Sequence, residues 1–250
     1  MTLNKRILFG LLVSLATFSL ITPIAQDLSY HTFADQTHFC NLTNGMNVLS
    51  NVPYFIIGAI GLIKLFSAPK SSRNTLKMSL AISLILVALG SGYYHLAPSN
   101  ATLLWDRLAM STCFAALLTL VCYELNSANN TANLNPIASV WKLGLALLVA
   151  CLGSVLYWYW SELNNLGDLR AYALIQFGGI LFIIISLFRL SGNTQRAFFI
   201  LIIGYILAKI CEHFDQQIYD VLNQTISGHS LKHIISGLAL APLVIGYQDN

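Results

Sequence analysis

The stretch "LKMSLAISLILVALGSGYYHLAP", Leu76 to Pro98, decides the fold. Past Lys77 it holds no acidic residue, lysine or arginine, and at about 1.5 Å per residue it is long enough to cross the roughly 30 Å hydrocarbon layer of a bilayer. A helix on a soluble protein shows an apolar stripe and a polar face. This one is apolar nearly all round, so its surroundings are lipid. Working outward, similar runs occupy 7–25, 48–67, 102–125, 138–160, 170–190, 196–213 and 229–247. The whole chain agrees: 56% of its 250 residues are hydrophobic and 9% charged, which excludes an ordinary soluble domain. We expect an all-α membrane protein, with a seven-transmembrane-helix core over 27–250 preceded by one extra N-terminal helix or signal anchor over 1–26.

Basic residues orient the bundle, because short cytoplasmic loops are enriched in Lys and Arg. Lys5, Arg6, Lys64, Lys70, Arg73, Lys77, Lys142, Arg189 and Arg196 fall on one side, whereas Asp27, Asp35, Glu162, Asp168, Asp215 and Asp220 fall on the other. Both termini are therefore expected in the cytoplasm. The net charge of +3 comes from these flanking residues and points to no nucleic-acid partner. No obligatory protein partner is implied either. The five cysteines form no C-x-x-C pair, which argues against a thiolate metal site; Cys40 and Cys211 could pair if they meet outside the membrane.

All six histidines fall on the acidic, outer side of that topology. His229 and His233 are four apart at the start of the last run, so their side chains stack on one helical face. Ser91 and His95 are likewise four apart at the end of the Leu76–Pro98 stretch, and Asp106 opens the next run in "LLWDRLAMST". A carboxylate in a membrane helix demands a partner. Three imidazoles with an open fourth position make the ligand set of a catalytic zinc ion, and a carboxylate beside it can move the proton of an attacking water. Each residue also has a structural reading. His95 can be an interfacial hydrogen-bonding histidine, Ser91 a small packing residue, and Asp106 one half of a charge pair with Arg107. Lys209, Glu212 and Asp215 read as a charge ladder along one helix, and "LYWYW", Leu156 to Trp160, as an aromatic belt at the outer interface rather than a stacking platform. Asp35, Asn41, Asn44 and Asn47 fit either a substrate mouth or turns and caps.

The array S-x3-H at Ser91/His95, the aspartate eleven residues on at Asp106, and H-x3-H at His229/His233 resembles the alkaline ceramidase family of the CREST superfamily of membrane hydrolases. "NVLSNVPYFIIG", Asn47 to Gly58, is similar to the N-x-x-S-N start of that family's first core helix, and the resemblance runs from about residue 27 to 247. It implies a membrane amidase with Zn2+ on His95, His229 and His233, Asp106 as general base and proton shuttle, and Ser91 helping to hold the oxyanion. The family's eukaryotic D-W-x-E-x-N calcium segment has no match here. "YHTFADQTHFCNLTNG", Tyr30 to Gly45, stands in its place and resembles bacterial members. The implied localisation is the bacterial inner membrane, with the site on the periplasmic side.

The expected activity is hydrolysis of the N-acyl bond of a ceramide-like membrane lipid, releasing a fatty acid and a sphingoid-type amine. Acyl tails would bring that substrate in sideways from the bilayer. Two other classes use histidines in membranes. One is a metal-containing receptor or sensor of the progestin/adipoQ type, which would release no fatty acid. The other is a haem or ion-conducting protein, which would show a Soret band or charge-lined helices.

Overall fold

The computed structural model describes residues 16, 18–39, 41–128 and 136–246. Among them are nine α-helices and no β-strand: α1 (Gly45–Leu49), α2 (Val52–Phe66), α3 (Ser72–Leu96), α4 (Asn100–Ala128), α5 (Pro136–Leu163), α6 (Arg170–Leu187), α7 (Gly192–His213), α8 (Asp215–Val221) and α9 (Gly228–Val244). Most of the N-terminal run expected at 7–25 lies outside the described residues, as does Cys40. Among the described residues, six spans are long and apolar enough to cross a membrane: Gly45–Phe66, Ser72–Leu96, Asn100–Ser127, Val140–Leu163, Arg170–Leu187 and Gly192–His213. The 17-residue α9 packs between α7 and α2 and also touches α3, which closes the bundle. The fold is that of an all-α membrane protein, as the apolar runs imply.

Side chains such as Ile63, Leu145, Phe177 and Phe199 point outward although they are apolar. Lipid tails take the place of a partner there. Because lipid supplies no hydrophobic drive between helices, small residues do the joining. A Cβ added at Gly90 of α3 would fall 2.7 Å from the carbonyl oxygen of Trp105, so α3 and α4 meet closely beside His95 and Asp106. Gly204 of α7 lies equally tight against Ala239 of α9. The main core runs through α2, α3, α4, α5, α6, α7 and α9. A smaller core, built on Phe33, Tyr94, Leu103, Val155, Trp158 and Tyr172, sits under the first loop.

The two ends of the bundle are tied by different residues. At one end Arg73 bonds Glu124 at 2.7 Å and Thr194 at 2.8 Å, tying α3, α4 and α7 together. At the other, His31 joins Tyr94 of α3 at 2.9 Å and Asn100 of α4 at 3.0 Å. Hence the first loop, the end of α3 and the starts of α4 and α9 share one end of the molecule.

Candidate metal centre and catalytic cavity

His95 projects from the last turn of α3, and His229 and His233 from the first turns of α9. All three are buried, with one ligand nitrogen from each within 4.8 Å of the others. The ring centres are 4.9 Å apart for His95–His229 and His95–His233, and 4.8 Å for His229–His233. The Nε2 atoms of His95 and His229 approach to 3.4 Å. Two imidazole nitrogens on one tetrahedral zinc, each about 2.0–2.1 Å from it, stand about 3.4 Å apart, so this pair already fits such an ion. His31 is held by Tyr94 and Asn100, while His38 and His213 are exposed. Three of the six histidines thus come together.

Of the three imidazoles, that of His233 is fixed from behind, in the way a metal-binding histidine usually is. Ser50 Oγ lies 2.8 Å from His233 Nδ1, and Asn51 Nδ2 lies 3.4 Å from it, which leaves Nε2 of His233 to face the cluster. Asn44 donates to the carbonyl oxygen of His95 at 2.9 Å. Asn47 Oδ1 accepts from Ser230 at 2.9 Å and from Ser227 at 3.4 Å, which pins the start of α9. The N-x-x-S-N signature at Asn47, Ser50 and Asn51 is therefore the scaffold behind His233. Asn41 and Asn44 take left-handed turns at φ 61° and 50°, and Asp35 closes a turn on Thr37 at 2.9 Å, so of these polar loop residues Asn44 and Asn47 also brace the site.

Asp106 is buried on α4, with the Ser91 side chain of α3 beside it in the cavity lining. The structure sends Asp106 and Arg107 to different partners rather than pairing them. Arg107 Nη2 donates to Gln26 Oε1 at 2.6 Å, and its guanidinium carbon sits 4.1 Å from the ring centre of Trp158. Here the sequence reading of "LYWYW" needs correction. Trp160 is 53% exposed, as a belt residue should be, but Trp158 is 0% exposed and forms a stacking face for Arg107.

The charge ladder also needs correction. Glu212 pairs with Lys209 at 2.6 Å as expected, and it pairs with Lys232 of α9 at 2.7 Å as well. Asp215 does not continue the row, because α7 ends at His213. Its carboxylate instead accepts the backbone N–H of His229 at 2.6 Å and of Ala34 at 2.9 Å. Phe33 beside it packs on His229 and His95 with ring centres 4.5 and 4.8 Å away. No sequence signal marked Phe33, and Lys232 is marked only by its place between the two histidines.

These groups face a cavity of about 230 Å³. Ser91, the three histidines, Asp106 and Arg107 line it, and it continues between Val87, Met110, Phe114, Leu117 and Leu240. Along α4, Phe114 and Leu117 lie about 10 and 15 Å deeper than Arg107 at 1.5 Å per residue. One cavity therefore joins a polar cluster, whose three histidines could hold a metal ion, to an apolar arm suited to an acyl chain.

The Ceramidase family model matches residues 37–248, a segment that contains Ser91, His95, Asp106, His229 and His233. A search of curated proteins returned no match to the chain.

Proposed function

The chain belongs to the ceramidase family, and from that premise we propose that it is a zinc-dependent intramembrane amidase cleaving the N-acyl bond of a ceramide-like lipid. Membership implies a membrane hydrolase acting on lipid amides; the zinc, the residue roles and the products are our reading. The observation that carries it is the junction of three buried histidines and a buried carboxylate with an apolar arm in one cavity.

His95, His229 and His233 would hold the metal. When bound, zinc polarises the acyl carbonyl and lowers the pKa of water toward neutrality. Asp106 takes the proton of the attacking water and delivers it to the nitrogen of the departing amine. Ser91 offers its O–H to the Asp106 carboxylate as a hydrogen bond and so aims it. Once Asp106 is protonated, the same hydroxyl is free to turn to the negative carbonyl oxygen. The acyl chain lies between Phe114, Leu117 and Leu240. We assign hydrolysis to residues 27–250 and the N-terminal stretch to anchoring. By the charge pattern, the site faces the periplasm of a bacterial inner membrane.

Purified protein in detergent, supplied with an N-acylsphingosine, should release fatty acid and amine in equal amounts. A chelator should stop the release and added zinc should restore it. Zinc-loaded protein that binds the lipid but releases nothing would instead favour a receptor of the progestin/adipoQ kind.

A further inference from the structure

Arg107 is buried in the cavity wall, 6% exposed, and its charge is not neutralised by any carboxylate bonded to it among the described residues. Its guanidinium lies 4.1 Å from the ring centre of Trp158, 4.9 Å from Tyr172 and 5.9 Å from Tyr30. Those faces stabilise a cation but occupy none of its in-plane donors. Nη2 is bonded to the neutral Gln26 amide, and Nη1 has no hydrogen-bond partner among the described residues. Buried arginines ordinarily end in an anion, because an unpaired guanidinium fork forfeits its hydration without return.

From this geometry we propose that Arg107 binds a carboxylate carried on the amine half of the substrate, so that the preferred lipid is an N-acyl amino acid rather than a neutral ceramide. The inference rests on the amidase reading above and changes the amine half of the substrate from a sphingoid base to an amino acid. Three features support it. Arg107 is the residue after Asp106, which puts its reach within the same turn of α4 as the reacting amide. The apolar arm begins deeper on that helix, so the acyl chain runs away from Arg107 and the amine half is left beside it. The charged groups lining the cavity are Arg107, Lys209 and Lys232 against Asp106 and Glu212, three cations to two carboxylates, and Glu212 is already shared by both lysines. A planar carboxylate matches the guanidinium fork, and a neutral diol headgroup does not.

The test compares N-dodecanoylserine with its methyl ester, which has the same amide and chain but no charge, and with N-dodecanoylsphingosine. All three are offered to the full-length, zinc-loaded protein in detergent. The acid should exceed the ester in kcat/KM by about tenfold or more, the scale of one charge-assisted hydrogen bond. Arg107→Gln should erase that preference, raising KM for the acid far more than for the ester. Arg107→Lys, which keeps the cation but loses the fork, should fall between them and serves if the glutamine variant does not fold. Equal handling of acid and ester by the unaltered protein, or an acid preference that survives in either variant undiminished, would overturn the proposal. Equilibrium binding of acid and ester needs no turnover and has the same two outcomes. Hydrolysis of ester and sphingosine amide without charge preference overturns only this proposal. Acid-selective binding with no hydrolysis of any of the three overturns only the amidase reading.

Discussion

The Asp215 carboxylate accepts the backbone N–H of His229 at 2.6 Å with one oxygen and that of Ala34 at 2.9 Å with the other. A single side chain thus seats the first histidine of α9 and fastens the first loop across the cluster. Both oxygens are engaged, which makes Asp215 a poor substitute for Asp106 as a base. Asp215→Ala should lower stability by about 1.5–3 kcal/mol, the range for hydrogen bonds to a charged group, and weaken zinc retention. Denaturation midpoints and metal content in detergent measure both; unchanged values would show that the loop holds itself.

Metal content tests the centre directly. About one zinc per chain is expected for a three-histidine site, with loss in His229→Ala and in His233→Ala. Ser50→Ala should retain the fold but bind zinc about 10- to 100-fold more weakly, because the orienting partner of His233 Nδ1 is gone. Full zinc retention in both histidine variants would rule the assignment out.

Asp106→Asn should keep zinc and fold while lowering turnover roughly 10²–10⁴-fold, the usual range for a lost acid–base group. Ser91→Ala removes the hydroxyl that we assign to aiming the carboxylate, so its effect should be smaller and should appear in turnover rather than in metal content. Undiminished hydrolysis by Asp106→Asn would mean that another group moves the proton.

Acid sensitivity is expected from Asp168, between α5 and α6. Hydrogen bonds from Arg170 first, and from Tyr157, outweigh burial and hold its carboxyl down at about 2, below its ordinary 3.8. The folded state thus releases this proton more readily than the unfolded chain. The resulting stability is present above about pH 3.8 and is lost as pH falls toward about 2. Melting curves between pH 5 and pH 2 should show that decline in the unaltered protein and a shallower one in Asp168→Asn. Parallel curves would mean that the clamp contributes nothing.

Much of the bundle was legible because a membrane imposes length. The run 76–97 became Ser72–Leu96, and 170–190 became Arg170–Leu187, since few sequences other than spanning helices stay apolar for so long. The histidine cluster was legible through its four-residue spacings. What escaped the reading depends on which neighbour a side chain meets. Asp106 and Arg107 are adjacent in sequence yet point about 100° apart around α4, so one reaches Ser91 and the other Trp158. Trp158 and Trp160 look equivalent in "LYWYW", but the helical turn buries the first and exposes the second. Asp215 fits a helical row by spacing, and only the break at Phe214 frees it to reach His229.

Phe33 is seated over His95 and His229, and entry from the surrounding bilayer is the expected route for an acyl lipid. Velocity should then follow the mole fraction of substrate within the lipid phase, not its amount per litre. Adding inert detergent at constant total substrate should slow the reaction by surface dilution, and Phe33→Ala should blunt that dependence for short-chain amides that dissolve in water.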